Sequence, residues 1–143
     1  RLQGDWSSDV CSSDLAMALS VREQELVILR MGCLYASDYV WKHHVPVALE
    51  FGISDAELRA VRRGEFASFK EREEALLQLC DAMVCRRTVS QAEWQAFGCR
   101  LKPQEVIDLI GLVAQYVLFA LTNNVLQVPV EAALQGVPGL EDD

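Results

Sequence analysis

The sequence predicts an all-α fold, a helical bundle of about six helices, on three observations. Ser-x-x-Glu occurs four times, at Ser20/Glu23, Ser54/Glu57, Ser68/Glu71 and Ser90/Glu93. Each reads as a capping box, in which the serine oxygen takes an orphan amide of the first turn and the glutamate reaches back to the serine amide. Between these starts nothing alternates with period two for long enough to make a sheet. The stops also agree: Gly52 and Gly64 sit just past periodic segments, where a left-handed C-cap is wanted.

Helices are expected near 21–35, 37–51, 55–63, 69–86, 91–99 and 104–126. The first carries REQELVILRMG, with Leu26 to Leu29 as its apolar wall, and the second carries SDYVWKHH. The third lies between the Ser54 cap and Gly64. In the fourth, the charges of KEREE occupy the first turns as a solvated face, and Leu76, Leu77, Leu79, Cys80, Met83 and Val84 make one apolar stripe. The fifth is a short helix behind Ser90. Pro103 opens the sixth, where its missing N–H costs nothing. The apolar run of that helix, VIDLIGLVAQYVLFAL, falls short of the ~20 residues that a bilayer crossing requires and contains Asp108 and Gln115. It reads as a core or subunit-interface helix. Val106, Ile107, Leu109, Ile110, Leu112 and Val113 spread around more of the circumference than one core face needs, which predicts a homo-oligomer.

A length of 143 residues suits one core, and residues 16–143 are read as a single domain. Residues 1–15 stand apart. The segment DWSSDVCSSDL has neither helical nor strand period, and its back-translation resembles an adapter oligonucleotide of short-read sequencing. It is read as non-native or disordered, and Trp6 and Cys11 carry no functional argument. A net charge of −8 without a basic stripe disfavours nucleic acid as a partner, and no membrane association is expected. Five cysteines without CxxC pairing read as reduced, buried thiols. With no charged n-region and apolar h-region opening the chain, the expected location is cytoplasmic.

Chemistry concentrates in SDYVWKHH, which holds both histidines of the chain, at 43 and 44. At about 100° per residue, Ser37, Val40, Trp41 and His44 share a narrow arc of the second helix, while His43 points away. Two histidines so disposed do not chelate one metal, and no metal site and no cofactor are expected. Glu25 lies at the edge of the buried side of the first helix, where a carboxylate needs a hydrogen-bond partner, and His44 can supply it across the helix pair. A carboxyl and an imidazole facing a small pocket lined by Tyr39 and Trp41 make a general acid/base couple. A buried Glu–His pair with a purely structural role fits the same spacing.

REQELVILRMG, SDYVWKHHVPVALEFGISDAELRAVRRG and, near the end, LVAQY with TNNVLQVPVE together resemble the carboxymuconolactone decarboxylase family, over roughly residues 19 to 131. The resemblance implies the helical fold shared with the alkyl hydroperoxidase D (AhpD) proteins, and an oligomer. In the peroxidase branch a glutamate is followed by CxxC and then by a histidine. Laid on this chain, that pattern selects Glu25 and His44 and puts Ser37 and Val40 where the cysteines would stand. Neither a serine hydroxyl nor an isopropyl group can attack a peroxide or resolve the product.

The resemblance therefore implies a cofactor-free carboxy-lyase acting on a small carboxylated lactone or related cyclic acid. Glu25 and His44 are its expected catalytic pair, and Ser37, Tyr39 and Trp41 its expected substrate contacts. Two alternatives stand beside it: residual thiol-dependent peroxidase activity through Cys33, Cys80 or Cys85, and a non-catalytic oligomeric protein that binds a small molecule. The reading of the N-terminus is testable by itself. A chain beginning at Ala16 is expected to keep its helical circular dichroism, and loss of that signal would contradict it.

Overall fold

Three of the four serine boxes cap helices as expected. In the computed structural model, which describes residues 17–141, Ser20, Ser54 and Ser90 each accept from the amide of the glutamate three residues on, and that glutamate returns to the serine amide. The segment 1–15 lies outside the described residues. Six α-helices follow: α1 Val21–Leu34, α2 Asp38–Glu50, α3 Asp55–Arg63, α4 Glu71–Arg86, α5 Gln91–Ala96 and α6 Pro103–Leu126. Short 3-10 turns cover Gly98–Arg100 and Ala132–Leu134, and no strand is found among the described residues. The fold is all-α.

The Ser68/Glu71 box is the exception. Phe66 and Phe69 are both buried, and Ser68 lies in the turn between them, closed by the Phe69 amide on the Phe66 carbonyl at 3.0 Å, so α4 begins only at Glu71. Glu73, not Glu71, then takes the cap position, accepting from the Lys70 amide at 3.4 Å. Glu105 does the same for α6, accepting from the Lys102 amide at 2.7 Å. Gly64 caps α3 at φ 74°, a left-handed conformation that costs a residue with a Cβ.

α1 runs through the centre and is buried on most of its circumference. One side, Val27, Ile28 and Met31, joins Val40 of α2, Leu76, Leu79 and Cys80 of α4, and the inner face of α6. The other side, Leu26 and Leu29, joins Trp41, Val45 and Ala48 of α2, Leu58 and Val61 of α3, and Phe66, Phe69 and Leu77. The α4 residues expected to form one stripe are therefore divided between two clusters, with Leu77 in the second. Gly32 permits the α1/α2 contact: a Cβ there would stand 3.3 Å from the Trp41 amide and 3.5 Å from Val40 Cγ1.

Arginines tie the other helices to α1 at its polar positions. Arg22 pairs with Glu57 of α3 and Glu73 of α4. Arg72 of α4 pairs with Glu23 of α1 and Glu105 of α6. Burial pushes the Glu23 carboxyl up, but bonds from the Ser20 amide, Arg72 and the Ser20 hydroxyl outweigh it and hold it below the ordinary range. Arg30 grips Asp81 through both carboxylate oxygens at 2.7 Å, donates to the Val61 carbonyl at 2.8 Å and lies over the Phe66 ring.

α6 spans 24 residues and is, by length and composition, long and apolar enough to cross a membrane, longer than the apolar run alone suggested. Leu109, Leu112, Val113, Tyr116 and Ala120 are built into the core. Ile107, Ile110, Leu118, Leu121 and Val125 are exposed on the outside.

Breaking the Arg30–Asp81 pair tests the framework. Asp81→Asn keeps the volume but leaves the mostly buried guanidinium without its counter-charge, and unfolding in urea is expected to show a loss of about 2–4 kcal/mol. A midpoint equal to that of the parent would show that the pair contributes nothing.

Candidate active site

The site is assembled from two consecutive helices, α1 and α2, and from α6 far along the chain. Glu25 is 5 % exposed on α1, beside Leu26, so its carboxylate needs a partner from the protein. His44 is on α2, at the boundary between the two hydrophobic clusters, with Val40 in the first and Trp41 in the second. The His44 Nδ1 lies 2.8 Å from Glu25 Oε2, and its Nε2 lies 3.0 Å from the hydroxyl of Tyr116 on α6. The Tyr116 ring meets the imidazole edge to face at 5.3 Å between centroids, and Phe119 packs against Tyr116 in turn.

Each partner restricts what the imidazole can do. A carboxylate only accepts, so the Nδ1 proton is the one donated to Glu25 and the orientation of the ring is set. Nε2 then either accepts from the Tyr116 hydroxyl or, in the imidazolium, donates to it. The arrangement is a carboxylate, an imidazole and a phenol in series. It can take up a proton at Nε2, hold the resulting charge against Glu25, and release it toward Tyr116 or a bound molecule.

Ser37 sits at the N-terminus of α2 with its amide bonded to the Gly32 carbonyl at 2.8 Å. Its side chain is fully buried, makes no capping bond, and has an Oγ without a hydrogen-bond partner among the described residues. Such buried hydroxyls are uncommon and call for an explanation.

Tyr39 and Trp41, expected to line a pocket beside His44, have their polar atoms engaged by the C-terminal segment. The Tyr39 ring stacks on His43 at 4.0 Å and its hydroxyl bonds to Glu131 at 3.2 Å. Trp41 packs with α3 residues, and its indole N–H donates to the Pro138 carbonyl at 3.0 Å. The reason is the C-terminal segment after α6, which crosses α2 and engages these side chains; a helical wheel of α2 contains no information about it. His43, pointing away from His44, bonds to the Tyr39 carbonyl and to Glu131, each at 2.8 Å. Tyr116 was not among the expected site residues. Its signal was the inner-face spacing of α6, where 109, 113, 116 and 120 share one side.

The thiols are placed differently. Burial pushes the Cys33 thiol up to about 12 despite the nearby Arg30 and Arg62 guanidinium groups. Cys80 is fully buried, raised by desolvation, and sits 3.6 Å from the Met31 sulfur. Cys85 and Cys99 are exposed. Among the described residues no three His, Cys, Asp or Glu side chains group as a metal site.

Comparison with known proteins agrees with this architecture. A protein of unknown function from Agrobacterium tumefaciens, proposed as the antioxidant defence protein AhpD, superposes with a TM-score of 0.73 at 15% identity, covering 80% of this chain and 81% of its own. An uncharacterized peroxidase-related protein from Silicibacter sp. gives a TM-score of 0.74 at 11% identity, covering 83% of this chain and 64% of its own. A debrominase in complex with 2,3,4-tribromopyrrole gives 0.69 at 13% identity, covering 82% and 64%. At these identities the likeness is one of fold. No protein with a curated description matches the sequence. The model of the carboxymuconolactone decarboxylase family matches residues 8–82, a span that includes α1, α2 and both Glu25 and His44. Since that match covers more than half of the chain, the protein belongs to the carboxymuconolactone decarboxylase family.

Proposed function

We propose that the protein is a cofactor-free carboxy-lyase whose proton-transfer centre is the Glu25, His44, Tyr116 series, acting on a small carboxylated lactone or related cyclic acid. The observation that carries this reading is an imidazole held at both nitrogens, by a buried carboxylate at 2.8 Å and by a phenol at 3.0 Å. Loss of carbon dioxide breaks one carbon–carbon bond and leaves its electron pair on a conjugated carbonyl, as an enolate. His44, protonated at Nε2, then delivers that proton to the enolate carbon, directly or through the Tyr116 hydroxyl, and Glu25 offsets the imidazolium charge in the meantime. Water restores the proton between turnovers. The unpartnered Ser37 hydroxyl supports a role in holding a substrate oxygen. Tyr39 and Trp41 have no part in this scheme, because their polar atoms are committed to Glu131 and Pro138.

Thiol peroxidase activity is the second reading. Against it stands the Cys33 thiol, which burial keeps protonated at neutral pH, so that little thiolate is present to attack.

The reaction is tested by screening aromatic-degradation lactones and β-keto acids for carbon dioxide release. On an active substrate, His44→Ala and Glu25→Gln are each expected to lower turnover by ~10²-fold or more. The double variant should be scarcely worse, since residues acting as a unit are not additive. Tyr116→Phe, which keeps the ring, should lower turnover without a large change in melting temperature. His43→Ala is the control and should be nearly silent. Full activity in His44→Ala would sink the scheme, and activity abolished by thiol alkylation would favour the peroxidase reading.

We further propose that the outer face of α6 joins a second copy of the chain. Ile107, Leu118, Leu121 and Val125 are exposed along one face, and the steps 107, 111, 114, 118, 121, 125 alternate four and three residues, the spacing of a helix-pairing seam. Sedimentation of the full chain should show a concentration-dependent oligomer that Leu118→Glu dissociates. A monomer at every concentration would contradict it.

A further inference from the structure

A groove on the far side of Trp41 from the first core cluster has no role in the scheme above. It lies between α2, α3 and the C-terminal segment and has a volume of ≈ 440 Å³, within the range of small-molecule sites. Trp41, Val45 and Leu58, all nearly buried, form its floor, and the half-exposed Leu49 forms its lip. Pro138 and Gly139 close one side. None of Glu25, His44 and Tyr116 lines it.

The polar groups of the groove are unequal in sign. Among the described residues, Asp55, Arg59 and Arg62 line it, so two cations face one anion there in a chain of net charge −8. Arg62 is explained by structure: it lies in the last turn of α3, where a cation suits the carbonyl end of the helix, and it donates to the Gly139 carbonyl at 3.2 Å. Arg59 is not so explained. It stands mid-helix, exposed, and forms no ion pair with a carboxylate of the described residues, although Asp55 is one turn away. Trp41, for its part, has its only polar atom committed to the Pro138 carbonyl, so it offers the groove nothing but ring surface. The complement of an apolar floor beside a guanidinium is an apolar body bearing one anionic head.

We propose that this groove binds a small amphiphilic carboxylate, with Arg59 meeting the carboxylate and Trp41, Val45 and Leu58 taking the hydrocarbon body. The site is separate from the His44 centre and does not depend on the reaction assigned there. The C-terminal segment is its third wall and is held in place by side chains of the same α2 helix. Leu140 donates to Asp38 at 3.0 Å, and Glu131 meets Tyr39 and His43. Because Arg62 bonds to this wall, a ligand carboxylate at Arg59 lies next to the contact that holds the groove closed.

The test compares octanoate with octan-1-ol, two probes with one tail and different heads, by isothermal titration of the full chain. Octanoate should bind more tightly than the alcohol, and Arg59→Gln should weaken octanoate about tenfold, the scale of a lost charge-assisted contact, while leaving the alcohol unchanged. Leu49→Glu, which sets a carboxylate at the lip, should also weaken octanoate. Both positions are exposed, and unchanged circular dichroism will confirm that the variants fold. His44→Ala should bind octanoate as the parent does. Equal affinity for the two probes, binding of neither, or indifference to Arg59→Gln would overturn the proposal. Loss of octanoate binding in His44→Ala would place the ligand at the proton-transfer centre instead and overturn it equally.

Discussion

Burial of α1 on nearly its whole circumference is the constraint from which the remaining structure follows. Leu26, Val27, Ile28 and Leu29 are consecutive and all buried, so no single side of this helix can be its solvent face. Every polar side chain it carries must then find a partner on a neighbour, because a buried charge left unpaired is costly. Glu23 finds Arg72, Arg22 finds Glu57 and Glu73, and Arg30 finds Asp81. These pairs set the positions of α3, α4 and α6 around the hydrophobic contacts, which are not directional. Apolar burial supplies the attraction, and the arginines determine which arrangement of the helices satisfies the carboxylates.

Glu25 is the member of this set whose partner is an imidazole instead of a guanidinium, and the difference is chemical. An arginine paired with a carboxylate is permanently charged and exchanges no proton. A histidine in the same place can gain and lose one, and a phenol at its other nitrogen extends the path by one group. The requirement that pairs Glu23 with Arg72 for stability thus yields, two residues later, a group suited to acid/base work. Close approach of α2 makes this possible, and Gly32 allows it by leaving room for the Val40 side chain and the Trp41 backbone. Ser37 and Val40 stand where the resemblance would place the cysteine pair of the peroxidase branch, and the Glu25–His44 bond of this chain spans α1 and α2 without any thiol.

The C-terminal segment changes the role of α2. Without it, Tyr39 and His43 would lack their contacts with Glu131, and the Trp41 indole would lack its Pro138 acceptor. With it, Tyr39 and His43 become anchors for Glu131, and Trp41 becomes the floor of a groove with Pro138 as its wall. One helix therefore presents a proton-transfer group toward Tyr116 of α6 and, from Trp41 and Val45, an apolar surface toward Leu58 of α3.

Local structure was largely legible in the amino-acid sequence. The Ser20, Ser54 and Ser90 boxes, the left-handed Gly64 and the Pro103 start are each decided by residues within one or two turns, so the order and extent of the helices could be read from spacing. The Ser68 box failed because a longer-range demand, the burial of Phe66 and Phe69, prevailed over the local one. Glu25 and His44 were legible as well, from the buried side of one helix, the arc of the next and the family pattern. The third member was not, because Tyr116 lies 72 residues beyond His44 and only the packing of α6 against α1 and α2 brings its hydroxyl to the imidazole. The places of Tyr39 and Trp41 were decided the same way, by a C-terminal segment whose backbone contributes the Pro138 carbonyl to the Trp41 indole. The sequence alone determined which residues face inward on each helix, since that depends on a period of 3.6 residues. Which inward face meets which was decided only in the tertiary structure, because hydrophobic attraction has no direction and the pairing is settled by volumes and ion pairs summed over the whole chain.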